Sequence, residues 1–401
     1  MYVTHRSSAR ESEAAVHGPR ASTASRLDGG PASTTRGGLA FAERRLKLDS
    51  PELTFLVVGD WGRQGTYQDK EVADAMGKVA ELSGASFVLS VGDNIYESGL
   101  ANESDPWFGE TFTKIYTHPG LATLPWYTML GNHEYYGNSS AELAASLHAK
   151  DARWHPWRSN VQTFPGRNGS TLLTLATVDT SPFLSKYRKS DMDWRGLTPV
   201  VLPGDTPVAG EGIDPAPNAA PLPPPSALTR AARWVGAALF GAPNFVQPTE
   251  EAWAAWGDAQ LGQLEGWLAA AERSSTWTFV AGHHPIESYS GKAYGPKDLS
   301  GVAALLAKYE VPVYMNGHNH NLQWIKVPGE ATHFICSGAG SLVDPDIVDP
   351  EDGTLVYGDN GAGFVVVQMD FEQTVITFID ADAKVLYEST VFRSDVEPGR
   401  R

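Results

Sequence analysis

Cysteine is nearly absent from this chain. Cys336 is the only one among 401 residues, so no intrachain disulfide can form and the fold has to stand on its core. Set in THFICSG, Cys336 reads as a small buried apolar residue rather than a ligand. Long apolar runs are missing as well: no stretch reaches the roughly 20 residues of a membrane span. The first 40 residues also hold no apolar segment of the kind that directs secretion. Positive charge is scarce, with 31 Lys and Arg against 47 Asp and Glu and a formal charge of −16 at pH 7. Phosphate-backbone and anionic-lipid binding rest on clustered cations, which excludes nucleic acid and membrane as partners. For a phosphorylated substrate, attraction has to be local. There is no internal repeat, and a monomer is expected.

What remains is an α/β pattern. Residues 1–50 are rich in Ser, Ala, Arg, Gly and Thr and read as a disordered tail or targeting segment, and residues 51–395 as one catalytic domain. The spacing predicts strands at 53–58, 86–91, 126–130, 171–178, 277–281 and 311–315, and helices at 67–82, 107–117, 258–272 and 298–309. A Pro-rich insertion is expected at about 186–256, with a short helix near 228–240. The final segment, from GFVVVQMD onward, alternates like an antiparallel meander that closes one side of a sheet. Sequons at Asn102, Asn138 and Asn168 matter only on a secretory route.

Five short blocks carry the chemistry, each where an apolar run stops: LTFLVVGDWG with Asp60, SFVLSVGDNIY with Asp93 and Tyr96, WYTMLGNHE with Asn132 and His133, TFVAGHHP with His283 and His284, and VPVYMNGHNH with His318 and His320. In an open α/β sheet those are the carboxyl ends of strands, where such folds build their sites. Singly, each has a plainer reading. A Gly-Asp pair makes a turn and caps a helix, Asn132-His133 fits a turn, and a lone Tyr packs in a core. Five in this order point to one site.

Tyr96 is the most telling of them. A phenol with a reference pKa of about 10 ionises near neutrality only against strong positive charge, which implies ferric iron. Seven donors exceed what one catalytic ion takes, so two ions are expected. Asp60, Tyr96 and His320 complete the iron site, and Asn132, His283 and His318 the site of a divalent ion. Asp93 bridges them, each of its two oxygens reaching one ion. A ferric and a divalent ion carry formally five positive charges. Asp60, Asp93, the phenolate and a bridging hydroxide remove four, so about one is left to bind a phosphate anion, with metal-bound hydroxide as the in-line nucleophile.

These residues resemble the low-molecular-weight purple acid phosphatases of the tartrate-resistant type, within the calcineurin-like metallophosphoesterases. GDWG, GDNIY, LPWYTMLGNHE, AGHHP, GHNHNLQ and the SGAG at 337–340 carry the resemblance, over roughly Leu53 to Phe392. It implies a two-layer β-sandwich flanked by helices, the αββα metallophosphoesterase fold. It also implies an Fe(III)–M(II) centre with M as Fe, Zn or Mn, and hydrolysis of phosphate monoesters, small molecules or phosphoproteins, at acid pH. The family's ligands fall on Asp60, Asp93, Tyr96 and His320 for iron and on Asp93, Asn132, His283 and His318 for the second metal, and its phosphate-contacting histidine on His133. Ordinary superfamily members have Gly-Asp-x-His at the first block, where this chain has Gly62. Tyr294 stands where animal-type members have a histidine, so the leaving-group acid is open, with His284 a candidate. GNHE and GHNHN alter only neighbours of ligands. Secreted or vacuolar members imply a leader that is not visible here. A phosphodiesterase or nucleotide hydrolase on the same centre, and a redox or phosphate-binding protein with little turnover, are the competing functions.

Overall fold

The structure is a computed structural model, and it describes residues 48, 50–188, 248–291, 293–295 and 297–396. Two seven-stranded sheets face each other. The first runs β14-β13-β12-β1-β2-β3-β4, built from β1 (Leu53–Val58), β2 (Phe87–Ser90), β3 (Trp126–Met129), β4 (Trp154–Trp157), β12 (Gly363–Met369), β13 (Gln373–Asp380) and β14 (Val385–Phe392). The second runs β11-β9-β10-β8-β7-β6-β5. Its strands are β5 (Asn160–Pro165), β6 (Thr171–Val178), β7 (Ser275–Gly282), β8 (Val313–Asn316), β9 (Leu322–Lys326), β10 (His333–Ser337) and β11 (Leu355–Asp359). Strands β1, β2, β3 and β4 are mutually parallel, as are β6, β7 and β8. The C-terminal β12-β13-β14 pairs antiparallel onto β1, the meander expected from its alternation.

Every residue of β1 is buried, because both faces of the strand are covered. Phe55 and Val57 point between the sheets, where they join Phe87, Leu89 and Met129 and meet Leu173, Leu175, Phe279, Ala281 and Ile335 from the other layer. Leu56 and Val58 point outward, onto Val72, Met76 and Val79 of helix α1 (Asp69–Ser83). The outer face of the second sheet is covered by α3 (Glu250–Ser274) and α4 (Ser300–Lys308), through Trp253, Leu264, Leu268, Val302 and Leu306 packed on Val178, Val280 and Tyr314. The short helix α2 (Asn132–Tyr136) follows β3. The result is helix, sheet, sheet, helix, the expected sandwich.

Two local expectations differ from the structure. At 107–117 the chain makes a π-turn, Gly109–Thr113, with the Lys114 N–H donating to the Gly109 carbonyl. The wider turn keeps Phe108, Phe112 and Tyr116 against Trp61, Trp126 and Trp154. Helix α3 starts inside the range given to the Pro-rich insertion, because Thr249 caps it, accepting the Ala252 N–H, and Trp253 and Trp256 are buried. The helix expected near 228–240 lies outside the described residues.

Candidate metal centre

All five blocks come together at the carboxyl ends of β1, β2, β3, β7 and β8. The backbone joins them directly. Gly59 donates to the Ser337 carbonyl at 2.8 Å, Asp60 to Gly92 at 3.0 Å, and Gly317 to His283 at 3.0 Å. Beneath, Trp61 Nε1 donates to Ser90 Oγ at 2.8 Å, Ser90 Oγ to Asn94 Oδ1 at 2.5 Å, and Asn94 Nδ2 to the Met129 carbonyl at 2.7 Å. Asp60, Asp93 and His318 all hold positive φ, at 60°, 53° and 68°. Such backbone strain concentrates at functional sites.

Tyr96 Oη lies 3.0 Å from Asp60 Oδ1, 3.1 Å from Asp93 Oδ2 and 3.2 Å from His320 Nε2, and the last is 3.4 Å from Asp60 Oδ1. Two ligands of one ion at about 2.1 Å are about 3.0 Å apart at right angles and about 3.4 Å apart at the tetrahedral angle. The four contacts among these donors, at 3.0 to 3.4 Å, fall in the range that ligands of a single cation show. A second group adjoins them: His283 Nε2 is 3.2 Å from Asp93 Oδ2 and 3.3 Å from His318 Nδ1. The Asn132 amide oxygen is buried with no hydrogen-bond partner, the state expected of a carbonyl oxygen meant for a cation. The seven residues fit a dinuclear centre.

The two carboxylates work in the same way. Asp60 Oδ2 accepts the His318 N–H at 2.8 Å, and Asp93 Oδ1 accepts the His133 N–H at 2.8 Å. Each acid spends one oxygen on fixing the next ligand loop and presents the other to the centre. Oδ2 of Asp93 faces both donor groups, 3.1 Å from Tyr96 Oη and 3.2 Å from His283 Nε2, so Asp93 is the residue that would be shared between two ions. His283 Nδ1 lies 2.8 Å from the Val91 carbonyl, which makes Nδ1 the protonated nitrogen and turns Nε2 toward the site.

The electrostatics call for a cation. Burial first, then the charges of Asp60 and Asp93, push the Tyr96 phenol well above its ordinary value. Without a compensating positive charge it stays protonated. Burial works against ionisation of Asp93, yet the His283 and His133 imidazoles beside it hold its carboxyl well below the usual carboxylate range. Burial opposes a charged His283 too, but Asp93 lifts it to about 9. A proton there stands in for the metal and leaves when one binds.

Around the donors lie groups a substrate can meet. His133 is partly exposed, with Nδ1 2.6 Å from the Glu97 carbonyl and Nε2 3.9 Å from Asp93 Oδ2. Tyr294 Oη is 3.0 Å from His318 Nε2, and the Lys186 ammonium bonds to it at 2.5 Å. His284 is fully buried, its Nδ1 2.8 Å from Thr180 Oγ1 and its ring 4.4 Å from that of His318. Cys336 is buried as expected, its thiol pointing at the Gly317 and Asn319 carbonyls beneath the last ligand loop.

Sequence reasoning missed Glu134, which it treated as a neighbour of a ligand. Its carboxylate accepts backbone N–H groups from Gly131 at 2.5 Å, Asp93 at 3.1 Å, Asn94 at 2.8 Å and Ile95 at 3.3 Å. It thereby fastens the loop that carries Asp93 to the loop that carries Asn132. Gly131 allows the approach, since a Cβ there would sit 2.2 Å from Asp93 Oδ1. Gly62 shows why Tyr96 is needed: a Cβ at 62 would lie 1.7 Å from the Asn94 carbonyl oxygen, so no histidine fits.

Fold and site together define a calcineurin-like metallophosphoesterase, and the calcineurin-like phosphoesterase family profile matches residues 53–220. Purple acid phosphatase 3 of Arabidopsis thaliana is 31% identical over 343 residues, which cover 84% of this chain and 76% of that protein. Tartrate-resistant acid phosphatase type 5 of Mus musculus is 29% identical over 359 residues, covering 86% and 91%. The chain belongs to the purple acid phosphatase family and is an acid phosphatase. Among solved structures, that titled "GAP50 the anchor in the inner membrane complex of Plasmodium" superposes with a TM-score of 0.60 at 19% identity, over 85% of this chain and 88% of that one, a likeness of fold alone.

Proposed function

We propose that the chain hydrolyses phosphate monoesters on a ferric–divalent pair. Asp60, Asp93, Tyr96 and His320 hold the iron. Asp93, Asn132, His283 and His318 hold the second ion, which is Fe, Zn or Mn. The observation that supports the reading is the set of three donors, from Asp60, Asp93 and His320, around Tyr96 Oη at 3.0 to 3.2 Å. When bound, the pair supplies Lewis acidity toward phosphoryl oxygens and a water of lowered pKa.

The chain's own residues do the rest. As an imidazolium, His133 donates its Nδ1–H to the Glu97 carbonyl and turns its Nε2–H toward a phosphate oxygen beside Asp93. With Nδ1 of His318 given to the ion, its Nε2–H donates to Tyr294 Oη, as does Lys186. The Tyr187 hydroxyl also hydrogen-bonds to that oxygen, so donors crowd it and the phenol's own proton is the one to give to a leaving oxygen. Burial lifts the Tyr294 phenol to about 12, so it keeps this proton throughout the acid range. Substrates are phosphorylated small molecules or phosphoproteins, approached by the monomer.

The test is metal content and colour together with turnover. Protein produced with iron should absorb in the visible and turn over an activated phosphomonoester near pH 5. Tyr96→Phe should lose the band. A band that survives Tyr96→Phe refutes the ligand assignment. Faster turnover of a bis-aryl phosphate would favour a diesterase, and phosphate binding without turnover a binding or redox protein.

A further inference from the structure

Arg63 belongs to no part of the site described so far, yet its guanidinium carbon lies 3.6 Å from the centroid of the Tyr96 ring. The residue is 5% exposed. Its other neighbours hold it there. The Tyr67 ring is 5.5 Å away on its outer side, Glu97 takes a hydrogen bond from Nη1, and the Arg63 N–H donates to Asp69 Oδ2 at 3.1 Å. Glu97 neutralises the charge only in part, because its side chain is 72% exposed to water, whereas the Tyr96 ring is buried. The ring therefore keeps a net positive charge on its face.

We propose that Arg63 is a positioning residue of the metal centre: held over the Tyr96 ring, it sets the energy at which that ring passes charge to the cation its oxygen would hold. The inference rests on the reading of Tyr96 as an iron ligand. A positive charge against a π face lowers the energy of the ring's electrons. Arg63 sits on the ring and not on the donor oxygen, so it lowers the phenolate's donor level more than the iron's acceptor level. The gap between them widens. Arg63 thus shifts the visible charge-transfer band to the blue, and Glu97, by partly neutralising it, shifts the band back.

The experiment compares absorption maxima of full-length protein purified with ferric iron: wild type, Tyr96→Phe, Arg63→Met and Glu97→Gln. Arg63→Met should move the band to the red by on the order of 10 to 20 nm, the few per cent of a visible photon's energy that a desolvated cation–π contact represents. Glu97→Gln should move it the opposite way. A loss of packing alone would not give shifts of opposite sign, and the exposed Glu97 variant answers the question even if Arg63→Met folds poorly. A band lost in Tyr96→Phe but unmoved in both other variants overturns the role of Arg63 and leaves the ligand reading standing. A band that persists in Tyr96→Phe sinks both, because Arg63 then has no phenolate to act on.

Discussion

Replacing Glu134 with Gln tests whether the centre is held by its surroundings as much as by its ligands. The carboxylate takes four backbone N–H groups, two on each oxygen: Gly131 and Asp93 on Oε2, Asn94 and Ile95 on Oε1. Glutamine keeps one acceptor oxygen and turns an NH₂ toward the other pair of donors. Hydrogen bonds to a charged acceptor are worth about 1.5–3 kcal/mol each, and a buried donor left unmet costs about 1–3 kcal/mol. Losing two such bonds in a fully buried place should cost on the order of 3 kcal/mol, a large part of the roughly 5–15 kcal/mol that holds a typical domain.

Two measurements follow. Urea unfolding of metal-free protein should show the stability loss. Iron retention against a chelator should fall about 10- to 100-fold, the usual effect of removing a partner that orients ligands. Burial and the nearby Asp93 push Glu134 up to about 8, while the N–H groups pull it back. Four N–H donors face the two oxygens, and each favours the ionised form against that burial. If Glu134→Gln leaves both stability and iron retention at wild-type values, Glu134 is not the fastening and the argument from the four bonds is wrong.

Asp69 offers a pH test away from the centre. Burial lifts its carboxyl from 3.8 to about 6, against hydrogen bonds from Gly65, Arg63 and Tyr116. Its folded form favours the proton, so its contribution of about 3 kcal/mol is complete below pH ~4 and is lost as pH rises through about 6. Asp69→Asn should flatten that part of the stability profile, and an unchanged slope between pH 4 and 7 refutes it. Gly62→Ala should abolish iron binding in the folded fraction and cost at least about 3 kcal/mol, because backbone and not a flexible side chain meets the new methyl. Circular dichroism with iron analysis reads both. Phe55→Ala should cost about 3–5 kcal/mol, since Phe55 is wholly buried between the sheets and stacked on Phe87 at 4.7 Å. A loss under 1 kcal/mol in urea unfolding would place the core elsewhere.

What was legible in the sequence followed from strand ends. A run such as LTFLVV can only be covered on both faces, and a polar group just beyond it has to lie at the edge of the sheet, so the seven candidate donors that the structure brings together could be named. Strands whose burial is polar were not visible. In β9, Gln323 is buried because its Nε2 bonds Asn321 Oδ1 at 2.7 Å and its Oε1 accepts the Tyr289 N–H, a network no periodicity shows. In β4, Pro156 argues against a strand, and the strand exists because it is an edge, where a missing N–H is tolerated.

The site divides along the same line. Ligands announce themselves by residue type, whereas Glu134 and Arg63 act through partners distant in sequence, on N–H groups some 40 residues away and on a ring 33 residues away. Gly62 and Tyr96 join the two kinds of information. The Tyr96 N–H donates to the Gly62 carbonyl at 2.9 Å, so the close packing that leaves no room for a side chain at 62 also delivers the phenol to Asp60 and Asp93. A histidine cannot be restored at 62 while that contact stands, and the contact is what places Tyr96. The phenol and the missing imidazole are therefore one structural feature, set by how two loops pack.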